Sequence, residues 1–153
     1  MFPFRRREWV APENGEAKQM STRSLIARQT ENGFEAIYCH HDGYPNHHLP
    51  ILNQYYATDA LVAGLMRLGD LSSLGCELGQ AHEFQTHNPA SGWCLAYGRD
   101  RQEAHTATRF RVTEKGLIQD AQDCDAAYLY LFRNGQWIFR QAPFREPWCV
   151  ALA

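Results

Sequence analysis

Residues 127–140 are Ala-Tyr-Leu-Tyr-Leu-Phe-Arg-Asn-Gly-Gln-Trp-Ile-Phe-Arg, two apolar runs on either side of Asn134-Gly135. Asn and Gly both tolerate the positive φ angles that a two-residue hairpin turn requires. Aromatic and β-branched side chains are also the types that favour strands. The stretch therefore predicts a β-hairpin, and it is the strongest structural signal in the chain.

A second hairpin is predicted between Ser24 and His40. Here Ser24-Leu-Ile-Ala-Arg-Gln and Phe34-Glu-Ala-Ile-Tyr-Cys-His flank Thr30-Glu-Asn-Gly, so that Asn32-Gly33 supplies the turn. An isolated hairpin is at best marginally stable in water, and each one needs a further strand or helix against its apolar face. We therefore expect both hairpins to belong to one antiparallel sheet.

Two helices are predicted between about residues 48 and 68, where they would cover this sheet. The first has apolar residues at helical spacing, namely Leu49, Leu52 and Tyr56. Pro50 is tolerable there if it lies in the first turn. The second can be capped by Thr58 or Asp59, and Gly69 suits the left-handed residue that ends a helix. Its apolar stripe is formed by Leu61, Val62, Leu65, Met66 and Leu68.

The remaining patterned segments predict two more strands. In the first predicted strand the apolar residues Trp93, Leu95 and Tyr97 alternate along the chain. In the second, the strand-favouring residues Thr106, Thr108, Phe110 and Val112 alternate in the same way. Arg109 and Arg111 should then face outward, and residues 70–92 should form a long irregular connection. The fold class is α+β, a mainly antiparallel sheet of about five to six strands with helices packed on one face.

The length of 153 residues, of which 44% are hydrophobic, suits one folded domain. Residues 1–19 have a different character: Arg5-Arg6-Arg7 is nearly balanced by nearby glutamates, and no apolar core of a signal peptide is present. We expect 1–19 to be a poorly ordered N-terminal extension, with Met20 as an alternative start, and 20–153 to be a single α+β domain.

Composition excludes several classes of protein. With 15 Lys and Arg against 17 Asp and Glu, the net charge is −2, so we do not expect nonspecific nucleic-acid binding or a polyanionic mimic of DNA. Five cysteines without paired spacing argue against a secreted disulfide framework and favour a cytoplasmic location. No apolar stretch approaches the ~20 residues of a membrane span, so no membrane partner is expected.

The most chemically suggestive segment is 38–48, Tyr-Cys-His-His-Asp-Gly-Tyr-Pro-Asn-His-His. A zinc site could draw on Cys39 and His41 with His47 or His48, completed by Cys76 or His82, but the spacing matches no standard zinc motif. We therefore expect no metal and no other cofactor.

Two catalytic arrangements are conceivable in the same segment. Cys39 could act as a nucleophile with His41 or His87 as its base, or Asp42 could orient His40 from the same strand face. The simpler interpretation is a turn in which Asp42 bonds its own backbone ahead of Gly43. We assign no catalytic residue.

Four arginines are clustered between the predicted strand at 93–97 and the end of the predicted strand at 106–112. Arg99, Arg101, Arg109 and Arg111 lie within thirteen residues and could bind phosphate, a nucleotide or an acidic protein surface. Asp100 and Glu103 favour pairing within the chain instead. No glycine-rich phosphate loop, Ser/His/Asp signature or paired-carboxylate motif accompanies the arginines.

Four motifs resemble a widespread group of small proteins from bacteriophages, prophages and plasmids. They are Met20-Ser-Thr-Arg-Ser-Leu-Ile-Ala, Ile37-Tyr-Cys-His-His-Asp-Gly-Tyr-Pro, Leu68-Gly-Asp-Leu-Ser-Ser-Leu-Gly and Tyr128-Leu-Tyr-Leu-Phe-Arg-Asn-Gly-Gln-Trp. The group has no established activity, so the resemblance implies a genomic setting and no mechanism. This chain departs from it at His41, where an aromatic residue is usual, and at His47-His48, where small or acidic residues are common.

What the resemblance implies is an accessory role in the contest between mobile elements and their hosts. The leading hypothesis is a noncatalytic inhibitor that binds a host protein, such as a defence component, as an anti-CRISPR or other counter-defence factor. The alternative is an enzyme that handles a small ligand or nucleotide in a pocket of His40, Asp42, Tyr44, Arg99 and Arg101. Homo-oligomerisation is left open.

The predicted binding surface forms where the 39–45 turn, the 70–75 loop and the 99–101 segment come together. Such strand and helix ends carry polar residues that a core does not need. The candidate binding residues are His40, Asp42, Tyr44, Asp70, Ser72, Ser73, Arg99, Asp100 and Arg101.

Overall fold

The structure, a computed structural model, describes residues 21–84 and 92–150. The predicted N-terminal extension 1–19 lies outside the described residues. The strands are β1 (Ser24–Gln29), β2 (Phe34–Cys39), β3 (Leu71–Ser73), β4 (Leu95–Ala96), β5 (Arg109–Arg111), β6 (Tyr128–Arg133), β7 (Gln136–Gln141) and β8 (Cys149–Val150). The helices are α1 (Pro45–Tyr55), α2 (Asp59–Arg67), α3 (Tyr97–Arg101) and α4 (Glu114–Asp123).

Both predicted hairpins are present and belong to one sheet. The strand order is β4-β3-β2-β1-β6-β7-β8, and β5 pairs with β2 on the edge that β2 also offers to β3. Most neighbours are antiparallel, but β1 pairs in parallel with β6, and β2 in parallel with β3. The sheet is therefore mixed: the mainly antiparallel pairing that the sequence predicts is confirmed, but the two hairpins are joined to each other by a parallel pair rather than an antiparallel one.

The two hairpin turns differ. Asn134 and Gly135 have φ of 53° and 79°, the left-handed pair that the sequence predicts for a two-residue turn. In the first hairpin four residues separate the strands, and Thr30 closes the loop by accepting bonds from the amides of Asn32 and Gly33 on its Oγ1. The hydroxyl of Thr30 thus replaces the tight turn expected at Asn32-Gly33.

The sheet is apolar on both faces. Residues alternate between two core clusters, with Ile26, Ile37 and Tyr130 in the first and Leu25, Ala36 and Leu129 in the second. The helices α1 and α2 contribute to the first cluster, whereas α4 contributes to the second. The prediction of helices on one face is therefore wrong, because continuous apolar strands in the middle of a sheet need cover on both sides.

The expected five to six strands are eight in the described residues. The two additional strands, β3 and β8, have three and two residues, too few for a period-two pattern to emerge. Tyr97 begins α3 rather than continuing a strand, and β5 is limited to three residues. Within β5, Arg111 is exposed as predicted, but Arg109 turns inward to Asp70 and Phe110 is exposed, so the predicted orientation is wrong for these two residues.

The helices confirm part of the capping argument. Thr58 caps α2 by accepting from the amide of Leu61, and Gly69 has φ +75° just beyond the helix. The first helix begins at Pro45, so Pro50 lies in its interior rather than in its first turn. The sequence analysis missed α4, whose Thr113 cap and buried Leu117 and Ala121 form a short amphipathic pattern.

We predict that Gly69→Ala destabilises the protein more than Gly135→Ala. Both glycines have a left-handed φ, which costs an L-residue about 1 to 2 kcal/mol. A Cβ at Gly69 would also lie 2.3 Å from the carbonyl oxygen of Thr106, whereas one at Gly135 would meet no atom within 4 Å. The clash adds about 1 to 3 kcal/mol to the loss of unfolding free energy, measured by urea titration. Equal losses would contradict it.

Candidate functional site

The carboxyl end of β2 brings the predicted segments together. The amide of His40 donates to the carbonyl of Leu71 at 3.0 Å, and the amide of His41 donates to that of Ser72 at 3.0 Å. The amide of Tyr97, at the start of α3, donates to the carbonyl of Asp70 at 3.1 Å. The 39–45 turn therefore contacts β3 directly, and α3 joins the other side of β3.

The Asp70 side chain connects the start of β3 to β2 and β5. Its Oδ1 accepts from the amide of Tyr38 at 2.9 Å and from Nη1 of Arg109 at 2.8 Å, while Nη2 of Arg109 donates to Oδ2 at 3.3 Å. Only 9% of the Asp70 side chain is exposed. The carboxylate of Asp70 is thus occupied by β2 and β5, which explains why Arg109 points inward.

The two serines of β3 are also enclosed. The carbonyl of Ser72 lies 3.0 Å from Nδ1 of His41, and the Ser72 Oγ lies 3.3 Å from the same nitrogen. Ser73 is buried, and its Oγ has no hydrogen-bond partner among the described residues. Neither serine offers a hydroxyl to the surface.

Arg99 and Asp100 form a largely buried ion pair that also bonds to the backbone. The Asp100 side chain has no exposed area and accepts from the amides of Ala96 and His82 and from the guanidinium of Arg99. Arg99 also donates to the carbonyls of Leu78 at 2.7 Å and Cys94 at 2.9 Å. Desolvation opposes ionisation of Asp100, but Arg99 and the backbone amides outweigh it and hold the pKa of that carboxyl below its ordinary value.

Arg101 is arranged differently from Arg99. Half of its side chain is exposed, and its carboxylate partner is Glu103, also exposed. Its guanidinium carbon lies 4.5 Å from the centre of the Phe84 ring and 5.0 Å from that of Tyr97. Of the predicted arginine pair, only Arg101 is therefore presented to solvent for contact with another molecule.

We predict that Arg99→Ala lowers the free energy of unfolding by about 2 to 4 kcal/mol, because it leaves the buried Asp100 carboxylate without its cation. The matched change Arg101→Ala should cost less than about 1 kcal/mol, since exposed ion pairs contribute little. Urea titrations of wild type and both variants measure the two losses of unfolding free energy. A larger loss for Arg101→Ala would show that the two roles are exchanged.

His47 and His48, in the first turn of α1, anchor this helix to β1. His48 is fully buried, its Nε2 lies 3.0 Å from Ser24 Oγ, and its Nδ1 lies 3.1 Å from Nδ1 of His47. Gly43 fits closely beside Ser24, where a Cβ would lie 2.7 Å from the Ser24 Cβ. The paired histidines thus join the first turn of the helix to the first strand, which is a structural role.

Asp42 does not orient His40. It has a left-handed φ of 58°, and its Oδ1 accepts from the hydroxyl of Tyr44 at 3.4 Å. The chain bends at His41 and Tyr44, but the Asp42 carboxylate accepts from Tyr44 instead of making the predicted bond to its own backbone. His40 instead lies between Ser21 and Tyr38: Ser21 Oγ is 3.0 Å from Nε2, and Tyr38 Oη is 2.7 Å from Nδ1.

Cys39 does not have the setting of a nucleophile. The side chain is fully buried in the first core cluster, and that burial raises the pKa of the thiol, which disfavours the reactive thiolate. Across residues 21–84 and 92–150, no three His, Cys, Asp or Glu side chains are grouped as metal ligands. The proposed base His87 lies outside the described residues.

Ser21, Tyr38, Phe84 and Tyr97 contact the predicted site residues but are not among the candidate binding residues. Tyr38 and His40 occupy alternate positions and therefore share a strand side, a signal that could have paired them. Nothing local marks Phe84, which reaches Tyr97 only through the fold; their rings stack 5.7 Å apart.

We predict that stability falls as the pH drops below about 6.5. Desolvation, reinforced by the charge of His47, lowers the pKa of His48, and desolvation lowers that of His47. The unfolded chain then binds protons more readily than the folded one, so stability is full above the ordinary histidine pKa and is lost on acidification. Urea titrations at neutral pH and near pH 5 measure the loss.

The loss should be smaller in His48→Gln and unchanged in His105→Asn, because His105 is exposed. A wild-type protein equally stable at both pH values would contradict the burial argument.

No family model matches the chain, and comparisons with curated proteins and with solved structures gave no match. Within the described ranges, no helix combines the length and the apolar character that crossing a bilayer requires.

Proposed function

We propose that the protein acts by noncatalytic binding, as a mobile-element accessory protein whose target is a host protein. In this proposal the target is a defence component, and the chain is an anti-CRISPR or another counter-defence inhibitor. The genomic setting comes from the resemblance of the four sequence motifs to phage, prophage and plasmid proteins. The structural support comes from one surface feature, the guanidinium of Arg101 stacked on two aromatic rings.

The Arg101 stack has the properties of an interface anchor. Arginine, tyrosine and tryptophan dominate the energetics of protein interfaces, and a guanidinium over an aromatic face is attracted by the ring quadrupole. Because Phe84 and Tyr97 hold the guanidinium in place, docking costs less side-chain entropy than it would for a free arginine. Half of the side chain remains exposed to a partner.

The charge of the stack indicates the chemistry of its target. Arg101 is already paired with Glu103, whose side chain is 43% exposed. A carboxylate from a partner can bind the same guanidinium beside Glu103, since Arg101 has more N–H donors than the Glu103 carboxylate uses. We therefore place an acidic side chain of the target opposite Arg101.

The enzyme alternative is weakened by the position of Arg99. That pocket requires Arg99 and Arg101 to face one ligand with His40, but Arg99 is committed to Asp100 and two backbone carbonyls. Binding through Arg101 needs no such rearrangement.

We predict that Arg101→Ala weakens partner capture by at least about fivefold, which corresponds to a loss of ~1 kcal/mol. The immobilised full-length chain captures partners from a host lysate, and quantitative mass spectrometry compares wild type with each variant. Arg145→Ala, which removes another exposed arginine, is the matched control and should capture normally. A target retained equally by wild type and Arg101→Ala, or no specific target at all, would sink the proposal.

A further inference from the structure

Three polar side chains near the carboxyl end of β2 form a linear hydrogen-bonded array. Ser21 Oγ lies 3.0 Å from Nε2 of His40, and Nδ1 of the same imidazole lies 2.7 Å from Tyr38 Oη. Ser21 is fixed beside this strand end because the amide of Gly43 donates to the carbonyl of the next residue, Thr22, at 2.8 Å. All three side chains belong to residues of intermediate exposure, so the array is partly open to solvent.

We propose that Ser21 is a nucleophile that attacks activated esters, with His40 as its general base and Tyr38 as the group that positions the imidazole. A hydroxyl within hydrogen-bond reach of an imidazole, whose second nitrogen is held by a third group, is the arrangement that activates a serine. The proposal is independent of the binding function, since it uses none of the Arg101 stack.

The protonation states suit this role. Desolvation, with the charges of His41 and Arg23, lowers the pKa of His40, so the imidazole is neutral near pH 7 and able to accept a proton. Burial is the main cause that raises the pKa of Tyr38 to about 12, so its ring remains a neutral phenol. The tautomer required has Nδ1–H donating to Tyr38 Oη and Nε2 accepting from Ser21 Oγ.

The reaction closes without a further cofactor. Ser21 Oγ bonds to the ester carbonyl carbon while its proton passes to Nε2 of His40, and the carbon–alkoxide bond then breaks as His40 protonates the leaving alcohol. Water attacks the acyl-serine, again giving its proton to His40, and that proton returns to Ser21 Oγ as the acid departs. Arg23 acts electrostatically on both Tyr38 and His40, and its guanidinium, 3.8 Å from the Asp125 carboxylate and 41% exposed, is the cation that we assign to the oxyanion.

The chain contains a matched control for the geometry. Ser24 Oγ lies 3.0 Å from Nε2 of His48, the same separation as in the Ser21 pair, but both residues are fully buried. A reagent that needs both an activated serine and access should therefore modify Ser21 and spare Ser24. If exposure or activation were irrelevant, the two serines would react alike.

The test is labelling of the full chain with a fluorophosphonate, from which serine displaces fluoride, followed by peptide mapping. We expect one adduct on Ser21, none on Ser24, and no adduct in Ser21→Ala. Labelling should rise with pH through the titration of His40 and level off near pH 7. His40→Gln should slow it at least tenfold, and Tyr38→Phe should slow it less and shift the pH midpoint.

Three results would overturn the proposal: no adduct on Ser21, a rate that does not fall on acidification below the ordinary histidine pKa of about 6.5, or equal rates in wild type and a folded His40→Gln. The wild-type pH profile decides the question even if His40→Gln does not fold. Each result would show that the array only fastens residues 21–22 to β2. Arg101→Ala should label like wild type, so this test and the capture experiment fail independently.

Discussion

The parallel pairing of β1 with β6, from Ser24 opposite Tyr128 to Arg28 opposite Phe132, joins the two hairpins into one sheet. It places β1 and β6 in the middle, where both faces of each strand are covered by other parts of the chain. A parallel pair of this kind cannot be made by a tight turn and requires a long connection. The helices and the short strands of the site are supplied by that connection.

The sequence predicted those elements whose determinants are local. The turn at Asn134-Gly135, the cap at Thr58 and the left-handed Gly69 each depend on one or two residues, and each is present. The parallel pairing could not be predicted in this way, because hairpin patterns specify partners within a hairpin but not between hairpins. α4 was missed because its apolar pattern is confined to a few residues within a polar helix.

The sequence predicted which segments meet but not what their side chains contact. Segment ends at the same sheet edge do meet, as β2, β3 and α3 show. How far a side chain is exposed depends on distant partners: Arg99 is enclosed by the carbonyls of Leu78 and Cys94, whereas Arg101 contacts Glu103 and the Phe84 and Tyr97 rings and keeps half of its side chain exposed. Alternation also failed for Arg109, because its guanidinium turns inward to pair with the Asp70 carboxylate, of which only 9% is exposed.

The order of the strands along the chain has a consequence for synthesis. β1 leaves the ribosome before β6, yet both of its edges are paired only once β2 and β6 are present. The first hairpin and the helices after it therefore emerge with a strand edge still open, a form prone to pairing with other chains. Completion of the core waits for the second hairpin, so the interval between the synthesis of β2 and that of β6 is when a chaperone would protect this edge most.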